Sequence, residues 1–155
     1  IPNNVFFLPH LCTVEMNELL VAVFSHSIQK INKMDFKELL AYQKAFSLAM
    51  EIKKVSEIFP KDEKYALTDQ VRRSSRSVCT NIAEAYRKRR YINHFISKLT
   101  DSDGENSETS VWLDFALECN YLSKEQHIDM VVKSEEIGKL INYMILNPTR
   151  FGCKS

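Results

Sequence analysis

Glycine and proline are scarce in this chain, which has three glycines and four prolines among 155 residues. Tight turns between β-strands depend on such residues, so their scarcity argues against a protein built from many strands. Hydrophobic residues make up 45% of the sequence and charged residues 26%, a composition that argues against a fibrous, low-complexity or disordered chain. A chain of this length buries enough surface for one core, and one globular domain is therefore expected.

Close pairs of cysteines are also absent. Cys12, Cys79, Cys119 and Cys153 lie far apart, a spacing that fits neither a disulfide framework nor a zinc knuckle. The first residues are apolar, but they are interrupted by proline and acids and lack the basic segment and cleavage site of a secretory signal. We therefore predict a cytoplasmic protein with reduced thiols and no association with membranes.

An excess of one charge is absent too, because the formal net charge is only +1. The total therefore gives no general attraction to nucleic acid or membrane. The distribution is uneven, however. Residues 72–90 contain seven basic side chains and one acid, whereas residues 101–136 contain ten acids and two lysines. The two regions are expected to form surfaces of opposite charge.

What the chain does have is a helical period. From Met34 onward, apolar residues recur at intervals of three and four, which predicts helices over residues 39–59, 68–87, 91–120 and 123–147. Ser123 and Gln126 form a capping box at the start of the fourth helix, and Pro148 closes it. The predicted fold class is all-α, an antiparallel up-down-up-down four-helix bundle with short turns.

The first residues stand apart from this pattern. Met34 precedes a polar helix entry and resembles a natural start, so we expect residues 1–33 to be an N-terminal extension and residues 34–155 to form the bundle. The alternative is a real extra N-terminal helix, amphipathic from Glu15 to Ile31, that covers Trp112. Both interpretations stay open.

The second predicted helix carries arginines opposite its apolar side. At about 100° per residue, its basic side chains point away from the direction shared by Val71, Val78 and Ile82. We call this surface the basic stripe and treat it as a candidate nucleic-acid site, because arginine binds phosphate in a bidentate manner. Its members are Arg72, Arg73, Arg76, Arg87, Lys88 and Arg90. The alternative is that these side chains pair with the acids of the third helix, within the subunit or across an interface, since no aromatic residues accompany the stripe for base stacking.

A polar seam separates the two sides of this helix. Ser77, Asn81 and Glu84 follow one another at helical spacing beside the apolar face. We predict that they satisfy buried or half-buried groups at a helix contact and therefore have a structural role.

The third predicted helix has two unlike faces. Phe95, Leu99, Leu113 and Leu117 share one direction and are expected in the core. A second side, the acidic aromatic face, cannot be covered by the same core, and aromatic anchors with a charged rim are typical of protein interfaces. Its members are Glu105, Glu108, Trp112, Phe115 and Cys119. Contact between this face and the basic stripe of another copy would be heterologous, so we predict a cyclic homo-oligomer of more than two subunits.

Motifs for catalysis are lacking. Di-iron bundles use Glu-x-x-His pairs, and none of the four histidines has a glutamate three residues before it. There is no phosphate-binding glycine loop, nucleophile elbow or zinc-protease motif. Glu105 and Glu108 lie three residues apart on a charged helix. This spacing is more typical of solvated side chains or of an interface rim than of a catalytic acid/base couple. We predict no enzymatic activity, no metal and no cofactor.

Four stretches carry a family resemblance: FKELLAYQKAFSLAMEI, DQVRRSSRSVCTNIAEAYRKRR, GENSETSVWLDFALECNYL and NPTRF. They resemble the small bacterial four-helix-bundle proteins named for reading frames inside intervening sequences of 23S rRNA genes. The resemblance implies an antiparallel bundle and a ring, often a pentamer. A similar protein, the accessory subunit of diversity-generating retroelements, implies RNA or a nucleic-acid-processing protein as partner.

This chain departs from the family pattern at one block. The family reads NIAEG followed by an aromatic residue, glycine and arginine, whereas Ala85, Tyr86, Arg87 and Lys88 stand at those places here. Two functional hypotheses remain. The first is an oligomeric binding module associated with nucleic acid through the basic stripe. The second is a self-assembling protein-protein adaptor that binds no nucleic acid and uses its arginines in salt bridges between subunits.

Overall fold

The structure is a computed structural model that describes Val21 and residues 35–154. Contacts within the chain divide it into two units, Ile1–Met34 and Asp35–Ser155, and all helices named below belong to the second. The predicted N-terminal extension and the helix considered for residues 15–31 lie outside the described residues, apart from Val21.

The described part of the chain contains four α-helices and no strand, which confirms the all-α prediction. They are α1 (Leu40–Val55), α2 (Leu67–Lys88), α3 (Ile92–Glu118) and α4 (Lys124–Leu146). Short 3-10 helices lie at Phe36–Glu38, Ser56–Ile58, Lys61–Tyr65 and Pro148–Phe151. The predicted first helix was too long, because its last turn tightens into a 3-10 helix after Val55.

Local sequence explains where the helices begin and end. The predicted capping box at α4 is confirmed: Ser123 Oγ accepts from the Gln126 backbone N–H at 3.1 Å, and Gln126 Oε1 accepts from the Ser123 N–H at 3.0 Å. We expected α2 to end before Arg89, which would otherwise face the core. It ends at Lys88, and Arg89 folds back to donate to the Tyr86 carbonyl at 2.6 Å.

The four helices form a bundle in which each helix runs antiparallel to the two helices that it contacts. Helix α1 contacts α2 and α4, and α3 contacts the same two helices. Lys44 pairs with Glu136, and Glu51 pairs with Lys133, both at 2.7 Å, so the numbering of α1 rises as that of α4 falls. The side chains that fill the space between the helices are mostly apolar: Ile52, Val71, Ile82, Phe95, Leu99, Leu113, Ile137 and Ile141. Leu117, predicted for the core, is only half-buried, and Ala116 beside it is fully buried.

Helices α2 and α3 approach each other across small polar side chains. The hydroxyl oxygens of Ser74 and Thr109 lie 2.9 Å apart, and Ser102 Oγ donates to the Val78 carbonyl at 2.9 Å. All three side chains are buried. Each hydroxyl therefore has a partner in the core and avoids the cost of burying an unsatisfied polar group.

A second set of buried polar contacts joins α3 to α4. Asn106 Nδ2 donates to the Ser134 carbonyl at 2.9 Å, while Asn106 Oδ1 accepts from Ser134 Oγ at 3.0 Å. This pair, together with Ser74, Ser102 and Thr109, forms what we call the buried polar network. The network fixes the register of three helices, because a shift along any axis would leave these groups unsatisfied.

Replacing Asn106 tests the network. We expect Asn106→Ala to lower the free energy of unfolding by about 1–3 kcal/mol, since the Ser134 carbonyl would lose its side-chain donor and the Ser134 hydroxyl would keep only Ser110 Oγ as a side-chain partner. Urea denaturation followed by circular dichroism measures the change. The matched control is Asn142→Ala on the exposed side of α4, for which we expect a change within about 0.5 kcal/mol. Equal effects of the two substitutions would contradict a stabilising network.

Candidate assembly and nucleic-acid interfaces

The basic stripe lies along α2, on the side opposite its buried residues. Arg72 is half-buried, and the other members of the stripe are exposed. Arg72 and Arg73 lie near the start of α2, while Arg87, Lys88 and Arg90 cluster at its end. These two groups have different surroundings, which separates their roles.

Arg72 is engaged with the end of α1. Its Nε donates to Ser56 Oγ at 2.7 Å, and its Nη2 donates to the Lys53 carbonyl at 3.4 Å. The last carbonyls of a helix have no partner within the helix, and a basic side chain near them also interacts favourably with the helix dipole. Arg72 therefore caps α1 and joins it to α2.

Arg73 is engaged with the acids of α3. Its Nη1 lies 3.4 Å from both carboxylate oxygens of Glu105, and its Nη2 donates to Glu108. Arg73 thus pairs with the third helix inside the subunit. This is the alternative interpretation that the sequence analysis gave for the basic stripe. The charge of Arg73 is thereby largely neutralised.

The end of α2 keeps its positive charge. Arg76, Arg87 and Arg90 have no carboxylate partner among the residues that the structure describes. Lys88 lies 3.5 Å from Glu84 in an exposed pair, and exposed pairs of this kind contribute little. Four basic residues are thus left with weak or no neutralisation, and three of them fall within residues 87–90.

An exposed aromatic residue accompanies these cations. Tyr91 is 60% exposed, its ring centroid lies 5.8 Å from that of His94, and the Arg90 guanidinium lies 5.9 Å from the Tyr91 ring. We call residues 87–94 the α2–α3 corner. The sequence reasoning missed this grouping because it assigned Tyr91 to the third helix and counted aromatics only along the second. The signal was present in the run of four basic residues followed directly by tyrosine.

The acidic aromatic face lies along α3, as predicted. Phe115 is 51% exposed and Trp112 is half-buried, with their ring centroids 5.7 Å apart. Cys119 is exposed beyond them. Val111, which the sequence reasoning did not include, is 49% exposed next to these rings. The core therefore leaves this side of α3 uncovered among the described residues.

Glu108 connects this face to the basic stripe. Trp112 Nε1 donates to Glu108 Oε1 at 3.1 Å, and Arg73 donates to the same carboxylate. The indole hydrogen bond, and then that of Arg73, hold the pKa of Glu108 below its ordinary value, against the opposing effect of desolvation. Glu108 thereby orients Trp112 while Phe115 remains open to solvent.

The polar seam lies at the solvent edge of the contact between α2 and α3. Asn81 is half-buried and its Oδ1 accepts from Lys98 Nζ at 3.5 Å, whereas Glu84 is exposed and lies 3.4 Å from the same nitrogen. Ser77 is half-buried. Asn81 and Glu84 thus both meet the half-buried Lys98, and the buried polar groups of the core come from other residues.

Side chains that could bind a metal do not cluster in the described part of the chain. It holds no set of three or more histidine, cysteine, aspartate or glutamate side chains placed to bind a metal. Glu105 and Glu108 both face Arg73. Burial raises the pKa of the Cys79 thiol to about 11, so this thiol stays protonated at neutral pH.

None of the helices described has the length and apolar character needed to cross a bilayer.

These features define a class of protein: an all-helical bundle with an uncovered aromatic face toward one end of a helix and a cationic corner at the other end. Residues 37–143 match the family model described as 23S rRNA-intervening sequence protein, and the chain belongs to this family. The family resemblance drawn from the sequence motifs is therefore confirmed.

A solved structure supports the same assignment. The chain is similar to a protein with unknown function from the S23 ribosomal protein family of Bacteroides thetaiotaomicron, with a TM-score of 0.63 and 28% sequence identity. The similarity covers 69% of this chain and 96% of that chain. No curated protein matches the sequence.

Acidification tests the role of Glu108. A carboxyl whose pKa is lowered in the folded state contributes stability that is present above its unfolded pKa and lost as pH falls through the folded pKa. We expect the fluorescence of Trp112, the single tryptophan, to change with a midpoint below pH 4.5 as Glu108 is protonated. Glu108→Gln should remove this transition, whereas the neighbouring control Glu105→Gln should retain it. An unchanged transition in Glu108→Gln would contradict the assignment.

Proposed function

We propose that this chain is a non-enzymatic, self-assembling helical module that associates with RNA. The observation that carries the proposal is that the surface of α2 and α3 divides into a region where charges are paired and a region where positive charge is left over. Its acids and Arg73 neutralise one another beside an uncovered aromatic face. At the end of α2, Arg87 and Arg90 have no carboxylate partner among the described residues, and Lys88 has only an exposed pair with Glu84. The first region suits contact with another protein copy, and the second suits contact with phosphates.

Assembly is assigned to the acidic aromatic face together with Val111. Large apolar side chains that are half exposed and adjacent to charged groups are the usual anchors of an interface. A second copy of this chain is the simplest partner, since the basic stripe offers complementary charge. Such a contact is heterologous and closes into a ring of more than two subunits. The number five comes from the family resemblance alone.

RNA association is assigned to four of the six members of the basic stripe. Arg72 and Arg73 are occupied within the subunit. The remaining members have no stable acidic partner and are free to contact phosphates: Arg76, Arg87, Lys88 and Arg90. Arginine matches phosphate geometry with two parallel hydrogen bonds, so two arginines on the exposed side of α2 and a third just beyond its end suit a nucleic-acid backbone.

The second candidate function is a protein-protein adaptor that binds no nucleic acid. The pairing of Arg73 with Glu105 and Glu108 favours it, because it shows that this chain uses α3 carboxylates to neutralise arginine. In an adaptor, the remaining cations would meet acids of a neighbouring subunit. Both candidate functions include self-assembly. They differ in what the cations at the end of α2 contact: RNA phosphates in the first, and acids of a neighbouring subunit in the second.

Salt dependence of RNA binding separates the two candidates. If three or four phosphates are contacted, the logarithm of the affinity for single-stranded RNA should fall with the logarithm of salt concentration with a slope of about −2 to −3. Fluorescence anisotropy of labelled RNA measures this slope. Joint replacement of Arg76, Arg87 and Arg90 by alanine should flatten it. The charge-matched control replaces three exposed lysines elsewhere, Lys124, Lys139 and Lys154. Absence of binding at low salt would leave the adaptor.

Assembly is tested by placing a charge on the acidic aromatic face. Phe115→Glu should release folded monomers, because an unpaired carboxylate is costly to bury in a contact. The control is Ile128→Glu, an exposed apolar position on α4 that should leave the oligomer intact. Light scattering at micromolar concentration gives the mass. A wild-type protein that is already an 18.0 kDa monomer would refute self-assembly.

A further inference from the structure

We propose that the α2–α3 corner binds single-stranded RNA by stacking an unpaired base on Tyr91, while Arg87 and Arg90 contact the adjacent phosphates. This inference rests on the RNA association proposed above, and it adds the strand type and the residue that contacts the base. The observations that carry it are the exposure of Tyr91, its neighbours, and the absence of acids from the chain segment that contains it.

Tyr91 is held by its backbone and open at its side chain. Its N–H donates to the Lys88 carbonyl at 2.9 Å, and its carbonyl accepts from the Phe95 N–H at 3.0 Å. The residue is thus fixed between the last turn of α2 and the first turn of α3, while 60% of its surface is exposed. A ring in this position adds little to the core and is available to a ligand.

The neighbours of Tyr91 are of the types that stack nucleobases. His94 packs beside it at an interplanar angle of 63°, and Arg90 lies within cation–π distance at 5.9 Å. Proteins bind unpaired bases on tyrosine, histidine and arginine planes, and each stacked base contributes about 1–3 kcal/mol. The corner brings all three types together within the five residues 90–94.

The chain segment around Tyr91 carries charge of one sign. Residues 85–100 contain no aspartate or glutamate, and residues 87–90 are all basic. Arg89 is occupied, because it donates to the Tyr86 carbonyl and lies over the Tyr86 ring at 4.0 Å. Arg87 and Arg90 are exposed and have no carboxylate partner among the described residues, although Arg87 also lies 5.8 Å from the Phe36 ring. Both guanidinium groups can therefore contact phosphates.

The exposed aromatic cluster on α3 does not suit RNA. Trp112 donates its indole N–H to Glu108, and Glu105 lies on the same side of α3. Carboxylates beside these rings repel a phosphate backbone. The corner therefore combines exposed aromatic surface with unopposed positive charge, which the acidic aromatic face does not.

Stacking requires a base that is not already paired and stacked in a duplex. The corner should therefore prefer a single strand to a duplex of the same length and charge. An acidic peptide would gain from Arg87 and Arg90 and little from Tyr91. The contribution of Tyr91 thus separates a single-stranded RNA from a duplex or an acidic peptide.

The test compares labelled oligouridylate with a duplex RNA of equal length by fluorescence anisotropy. Tyr91→Ala should weaken oligouridylate binding about 10-fold or more and change duplex binding little, whereas Tyr91→Phe should retain the affinity. The matched control is Tyr65→Ala, since Tyr65 is 82% exposed and lies beside Lys64 at 5.0 Å but far from this basic run in sequence. Circular dichroism confirms that each variant is folded.

The outcomes distinguish failure of base stacking on Tyr91 from failure of RNA association as a whole. If Tyr91→Ala binds oligouridylate as tightly as wild type while joint replacement of Arg87 and Arg90 weakens binding, stacking is refuted and RNA association stands. If the wild-type protein binds neither RNA at low salt, both fail. If oligoglutamate displaces oligouridylate at equal charge concentration, the corner is a site for acidic peptides and the inference is overturned.

Discussion

The close packing of α2 against α3 is the contact on which the other features of this bundle depend. Ser102 reaches the Val78 carbonyl and Thr109 reaches Ser74 because the side chains between the two helices are short. This approach brings Arg73 within reach of the acids on α3 and turns Phe115 outward. It also positions the turn that presents Tyr91. Core packing and surface chemistry therefore share one cause.

The same packing separates the two candidate surfaces. Residues 91 and 115 are 24 positions apart along α3, which corresponds to roughly 35 Å at the helix rise. The acidic aromatic face lies toward one end of the helix pair and the cationic corner lies at the other. Phe115 therefore lies far from Tyr91 within one subunit, so a partner seated on Phe115 would leave Tyr91 of that subunit accessible.

The helices themselves were predictable, because the signals that define them lie within one segment of the chain. These signals are the apolar spacing, the Ser123 capping box, and Arg89, which would face the core if α2 continued. The buried polar network was not. A helical wheel places Ser77, Asn81 and Glu84 beside the core, yet whether a short polar side chain is buried depends on the partner across the contact. Ser134 supplies that partner for Asn106 from another helix. Tyr91 was overlooked for a similar reason: its cationic neighbours belong to the preceding helix.

The most direct test of an assembled, RNA-binding bundle is sedimentation velocity of the wild-type protein mixed with fluorescently labelled single-stranded RNA at low salt, recorded at the wavelength of the label. We expect the label to sediment with a species that contains more than two copies of the 18.0 kDa chain. Label that sediments at the rate of free RNA, beside a protein boundary of monomer mass, would contradict both self-assembly and RNA association.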